Sequence, residues 1–195
     1  MTDKPNSGGS RWWRSPRSRW LLGIPLGGVV MFLAGAAALG SFNWVVHQTS
    51  KNEFCYVCHS HAAFIRAEYE ASSHFSNAAG VRADCADCHL PREWFPLLVT
   101  KIVVSADIVP ELLGKLDTRE KFEARRAEMA ERVWAQFRAN DSQFCRNCHA
   151  PAAMNPALQS KMAARLHQAL PPGRTCIDCH RGLAHALPAA PAPQG

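Results

Sequence analysis

The chain has 195 residues, a formal charge of +6 and eight cysteines. That length suits one membrane segment plus one domain of about 150 residues, and so many cysteines leave disulfides, zinc and haem as the chemistries to separate. In the first 20 residues Lys4, Arg11, Arg14, Arg17 and Arg19 face only Asp3, so the basic excess belongs to a tail and does not mark a nucleic-acid-binding face. After residue 50 the chain is rich in Ala, Pro, Arg and Cys and its aliphatic residues are bunched. Something other than side chains is expected to fill much of that interior.

Residues 1–19 read as a basic cytoplasmic tail and residues 20–46 as a membrane anchor. No residue from Trp20 to Val46 carries a formal charge, and as a helix this stretch would span roughly 40 Å, enough for a hydrocarbon core of about 30 Å. Trp12, Trp13 and Trp20 at one end and Trp44 at the other suit interfacial aromatic belts, and the arginines before the run place the N-terminus in the cytoplasm and residue 47 onward in the periplasm. A cleaved signal peptide is the rival, with Ala36-Ala37-Ala38 as a cleavage pattern, but the apolar run is longer than a secretory signal needs. Either reading exports the rest of the chain, here residues 47–187, with residues 188–195 as a disordered tail.

Every cysteine falls in one pattern: Cys55-Tyr-Val-Cys58-His59, Cys85-Ala-Asp-Cys88-His89, Cys145-Arg-Asn-Cys148-His149 and Cys176-Ile-Asp-Cys179-His180. Two thiols three residues apart can bond the two vinyl groups of one haem, and the adjacent histidine then reaches the iron from the proximal side. A zinc ribbon uses CxxC pairs but has no need of a histidine after each, and a disulfide scaffold has none either. The pattern therefore predicts four covalently bound haem c groups, with His59, His89, His149 and His180 as proximal iron ligands.

The motifs begin 30, 60 and 31 residues apart, which predicts two dihaem halves joined by a longer connector. Each half has one further histidine before its second motif, His74 before Cys85 and His167 before Cys176. Low-spin electron-transfer haems take a ligand on both faces of the iron, so His74 and His167 are candidate distal ligands, with His185, just after the last motif, as a third.

Residues 94–116 of the connector are apolar but broken by Pro96, Lys101, Asp107, Pro110 and Glu111. Those charges argue against a second span and for a helix lying on the bilayer surface. Lys101 and Asp107 would then stand near the lipid, where a quinol could arrive and release protons with its electrons. A solvent-facing charge pair is the plainer alternative. Residues 117–140 predict a long helix that starts at a capping box, Asp117-x-x-Glu120, packs an apolar stripe of Phe122, Met129, Val133 and Phe137 inward, and turns its charges to solvent.

The stretches GVRADCADCHLPREW, DTREKFEARRAEMAERVWAQ, NDSQFCRNCH and TCIDCHRGLAH resemble the NapC/NirT family of membrane-anchored tetrahaem quinol dehydrogenases. The likeness runs from the anchor to His185. It implies electron transport in anaerobic respiration, from menaquinol or ubiquinol in the inner membrane to a periplasmic reductase for nitrate, nitrite, trimethylamine N-oxide or dimethyl sulfoxide. It places His74, His167 and His185 where the family has distal haem ligands, and Lys101 and Asp107 near the family's quinol-site lysine and acid. No further haem motif follows His185, so the longer TorC-type arrangement is not expected. One position departs. The family's first motif reads CxxCHxM, and that Met can ligate the first iron; here His61 stands in its place. Either His61 takes that role, or His59 is the proximal ligand and His61 stands behind it.

The fold expected is mostly α: one N-terminal transmembrane helix and a small multihaem domain built as two dihaem halves. The function expected is quinol oxidation with delivery to a periplasmic partner. The alternative is a pure electron-transfer adaptor that receives electrons from another membrane redox protein.

Overall fold

The computed structural model describes residues 20, 21 and 24–189. The basic tail, Trp12, Trp13 and the last six residues lie outside them. Among the described residues the protein is helical, and the one sheet is a two-residue antiparallel pair, β1 (Trp20–Leu21) with β2 (Ile24–Pro25).

Helix α1 runs Leu26–Gln48, 23 residues with no buried side chain, and its most apolar 18-residue window has a mean hydropathy of 1.8. At 1.5 Å per residue it is about 35 Å long, enough to cross a bilayer core. Met31 and Phe32 are more than 70% exposed, a surface that water would penalise and lipid would not. This helix is the membrane anchor. It starts at Leu26 and not at Trp20 as the apolar run predicts. The reason is Pro25: inside a helix its ring would clash with the carbonyl four residues back and it offers no N–H, whereas just outside the first turn it does no harm.

From Thr49 onward the chain forms a second unit. It contains α2 (Asn52–Cys55), a π turn at His61–Ile65 leading into α3 (Arg66–Glu70), and α4 (Cys85–His89). The connector is α5 (Trp94–Val104), a 3-10 turn at Ser105–Asp107 and α6 (Ile108–Leu112). Then follow α7 (Arg119–Ala139), α8 (Gln143–Arg146), α9 (Lys161–Gln168) and α10 (Cys176–Cys179).

Side-chain packing is sparse and runs along α7. One cluster joins Phe64, Leu116 and Phe122, with Met129 against it; the other joins Phe137, Phe144 and Ile177, with Val133, Trp134, Cys88 and Cys145 against it. The predicted stripe of α7 is therefore the stripe that packs. Two details differ from expectation. The helix is capped by Thr118, whose side chain accepts from the Lys121 N–H, because Asp117 pairs its carboxylate with the Lys121 ammonium at 2.7 Å instead. And not every charge of α7 is solvated. Arg126 is 6% exposed. It stands four residues after Phe122 and three before Met129, on the stripe itself.

The motif helices are tied together in pairs by the same device. Three residues before the first cysteine of motif one, the Asn52 Oδ1 accepts the Cys85 N–H of motif two at 2.8 Å. Three residues before the first cysteine of motif three, the Ser142 Oγ accepts the Ile177 N–H of motif four at 3.2 Å. Helices α4 and α10 also share a capping box, Asp84 with Asp87 and Thr175 with Asp178. The first N–H groups of a helix have no partner inside it, so each second motif takes its missing acceptors from its own box and from the motif before it.

Candidate functional site

None of the eight cysteines pairs with another as a disulfide. They meet in pairs across motifs. Cys55 and Cys85 lie within hydrogen-bonding reach of each other. Burial, with Cys176 beside it, raises the Cys145 thiol to about 11. The first cysteines of motifs one and two, and of motifs three and four, are thus neighbours. Among the described residues no set of three or more His, Cys, Asp or Glu side chains gathers to hold a bare metal ion. Zinc would need four such ligands around one point.

The histidines gather differently, in facing twos. His74 lies 6.3 Å from His149, His185 lies 6.2 Å from His89, and His167 lies 5.9 Å from His180, ring centre to ring centre. An iron held by one nitrogen of each ring at about 2 Å puts the ring centres roughly 6 Å apart. The donor set therefore fits a haem iron between each pair. Two further features suit that use. Nδ1 of His74 and of His185 is buried without a hydrogen-bond partner. Desolvation by the atoms packed around it, with His185 and His61 nearby, pushes the His89 pKa down to about 4. A neutral imidazole is the form that ligates metal.

These pairs sort the three extra histidines among the motifs. His167 faces the motif of its own half. His74, between motifs one and two, faces motif three, and His185, after motif four, faces motif two. Ligand candidates thus cross between the first two motifs and the last two, which the placement of each histidine before a nearby motif does not reveal.

The first motif has no such pair among the described residues. The His59 Nε2 lies 3.2 Å from the Asp117 carbonyl oxygen, and its ring meets Phe64 edge-on. His61 opens the π turn two residues on. Desolvation by neighbouring atoms lowers its pKa, against an opposing pull from Glu111 and then Asp107. Between the two histidines, the Ser60 N–H donates to the Glu111 Oε1 at 2.8 Å. Glu111 is thus the carboxylate that touches this motif. Spacing could have flagged it, since Asp107 and Glu111 are four apart on one helical face.

The connector presents apolar side chains to the outside: Phe95, Val99, Ile102, Val103, Leu112 and Leu113 are all exposed, Ile102 at 74% and Leu112 at 80%. Its two predicted charges diverge. Lys101 turns back, donating from Nζ to the Thr49 carbonyl at 2.9 Å and its Oγ1 at 3.0 Å. Partial burial lowers the Lys101 pKa, with Cys55 opposing. Asp107 is 63% exposed and pairs with Arg132 of α7 at 3.8 Å.

The profile of the NapC/NirT cytochrome c family, N-terminal region, matches residues 17–190. The cytochrome c-type protein TorY of Haemophilus influenzae is 48% identical over 155 residues, which cover 79% of this chain but 42% of that protein. The cytochrome c-type protein NapC of Escherichia coli K12 is 42% identical over 179 residues, 91% of this chain and 88% of the relative. The denitrification system component NirT of Stutzerimonas stutzeri is 41% identical over 176 residues, 90% and 87% of the two. No solved structure matches the chain. All four CxxCH motifs lie inside the matched region, and this protein belongs to the NapC/NirT cytochrome c family, which implies electron transfer in anaerobic respiration through covalently bound haem c.

Proposed function

We propose that this protein is a single-pass inner-membrane cytochrome that oxidises menaquinol or ubiquinol at the periplasmic surface and passes the electrons through four haems to a periplasmic reductase, of nitrate, nitrite or a similar acceptor. The observation that carries this reading is the bond from Lys101 to Thr49. Thr49 is the first residue after α1, so covalent continuity keeps Lys101 where the chain leaves the bilayer. The exposed apolar face of α5 and α6 suits contact with lipid. The basic residues before α1 give the orientation, N-terminus in the cytoplasm.

Haem supplies the one-electron chemistry; the chain's residues set access, ligands and protons. Each of the cysteine pairs 55/58, 85/88, 145/148 and 176/179 attaches one haem, with His59, His89, His149 and His180 as proximal ligands. The facing rings support His185, His74 and His167 as distal ligands of the second, third and fourth haems. The shared Asn52 and Ser142 bonds support a build of two dihaem halves. A quinol gives up two protons with its two electrons. Lys101, its pKa lowered, and Asp107, free to leave Arg132 in open solvent, are the groups that take or relay them. His61 is the candidate to ligate the first iron in place of His59, in the role of the family Met.

Anaerobic stopped-flow reduction of the detergent-solubilised protein tests this. Fast reduction by a menaquinol or ubiquinol analogue, slowed by Asp107→Asn without loss of haem, is the expected result. No reduction, with four haems present and reducible by dithionite, would point to the adaptor, with His61 as the change that closed the site. His61→Ala should alter the spectrum of one haem only.

A further inference from the structure

The last residues before the C-terminal tail are held by charge. Arg126, on the packed stripe of α7, forms a fork on Glu68 of α3, with Nη2 to Oε1 at 2.7 Å and Nη1 to Oε2 at 3.0 Å. It also binds Glu123 of its own helix, with Nε to Oε2 at 2.6 Å and Nη2 to Oε1 at 2.9 Å. What remains of Nη1 donates to the Ala186 carbonyl at 3.1 Å, and the Ala186 N–H donates to the Glu68 Oε2 at 2.9 Å. Both backbone groups of Ala186 are thereby fixed by one ion pair. Helices α3 and α7 place that pair, and Ala186 otherwise sits in irregular chain beyond α10.

Ala186 follows His185. A residue in extended chain has no ladder of its own to fix it, and a ligand held by such chain is only as well placed as the groups that pin its neighbour. The Arg fork is rigid and planar, so it fixes direction as well as distance. Arg126 is an expensive group to enclose, and nothing in the packing of Phe122 and Met129 calls for it.

We propose that Glu68 and Arg126 are positioning residues that seat His185 on the iron of the second haem. This rests on the reading that His89 and His185 hold that haem. The clamp sets the ring opposite His89 and keeps the iron six-coordinate. Without it the C-terminal segment swings free, the sixth position opens, and that haem becomes able to bind a small ligand from solution.

The test uses the full-length haem-loaded protein in detergent. Glu68→Ala and Arg126→Lys are each expected to raise cyanide uptake by one equivalent per chain over the parent, with a matching high-spin signal in electron paramagnetic resonance. Added imidazole should return that haem to the low-spin form. Lysine has no fork and cannot hold Glu68, Glu123 and Ala186 together. Glu70→Ala, which removes the exposed pair of Glu70 with Arg66 on the same helix, should bind cyanide as the parent does. Glu68→Gln keeps the size of the side chain and an acceptor for the Ala186 N–H, so it loads haem even if the alanine variant does not, and it should show the same new site at partial occupancy. A merely structural role would lower the melting temperature and leave the cyanide stoichiometry at the parent value, and that result overturns the proposal. His185→Ala separates the two failures. If it opens a haem while the Glu68 and Arg126 variants do not, the clamp falls alone. If it too binds cyanide like the parent, the assignment of His185 falls and the clamp with it.

Discussion

Motifs one and two on one side, and motifs three and four on the other, are two copies of one unit that end differently. Both copies carry the acceptor three residues before the first cysteine, a phenylalanine just before that cysteine, and a capping box on the second motif. In the later copy both motif histidines face another histidine. In the earlier copy only His89 does, and its partner comes from beyond motif four. His59 instead lies against a backbone carbonyl, and two residues on His61 feels Glu111 and Asp107. The repeat supplies the frame, and ligand closure is added to it. In the proposed function the three facing pairs would suit outer-sphere relay. The motif without a facing histidine adjoins the connector with its exposed apolar face, which is where an electron donor from lipid would arrive.

The comparison breaks most visibly if ligands are exchanged. His74→Met is expected to shift the third haem upward in potential by on the order of 0.1 V, because a thioether sulfur favours the reduced iron more than an imidazole does. His61→Met should move the first haem alone. Redox titration followed in the haem bands reads both. If His74→Met left all four potentials in place, the facing pair with His149 would not be an iron site. The next effect is kinetic. Lys101→Met should slow quinol reduction by roughly tenfold or more while leaving dithionite reduction unchanged, and Asp107→Asn should slow it less, since Asp107 already stands in solvent. Equal rates in the parent and Lys101→Met would remove the lysine from proton transfer.

Glu68 gives a pH dependence with a definite sign. Burial alone would raise its carboxyl, but Arg126, the Ala186 N–H and His185 outweigh that and hold it below its ordinary value. A depressed carboxyl contributes stability above the unfolded-state pKa and loses it as pH falls through the folded one. The C-terminal segment should therefore be protected from hydrogen exchange at neutral pH and begin to open only below the usual carboxylate range. Glu68→Gln should abolish that acid-dependent step. Opening at the same pH in both would assign the step to another group.

The four CxxCH motifs were legible in the sequence because haem attachment through two thioethers demands that spacing along the chain. The anchor was legible for a similar reason: a bilayer fixes a length. Pairing was not, because the histidine that faces His89 follows the last motif, and no periodicity links the two. Arg126 was hidden by its type. At stripe spacing an arginine reads as part of a solvated face until a carboxylate from another helix, Glu68, is seen to meet it. Glu111 was masked by Pro110 beside it and by Asp107, which the family resemblance places near a quinol-site acid. The helix start was masked by hydropathy: the run from Trp20 is apolar throughout, and only the backbone rule for Pro25 separates its extended beginning from its helical body.

The smallest effect sharpens the comparison most, because it tests the shared frame in both copies at once. Ser142 is fully buried, and its Oγ is the acceptor for the buried Ile177 N–H. Ser142→Ala leaves that N–H without a partner where water cannot reach, a cost of about 2 kcal/mol. Asn52 makes more bonds, to Cys85, to Asp84 at 2.8 Å and to the Tyr69 hydroxyl at 3.4 Å, but it is only half-buried. Water can replace part of what Asn52→Ala removes, so about 1 kcal/mol is expected. The backbone supplies a control. Ser142 has φ +50°, in the left-handed region that strains any residue with a Cβ. Ser142→Gly loses the same hydroxyl while relieving that strain, and should fall between the two. Exchange of the Ile177 and Cys85 amides reads each copy separately. If Asn52→Ala costs more than Ser142→Ala, bond number outweighs burial in holding paired motifs together, and the first copy is the firmer of the two in spite of its unpaired histidine.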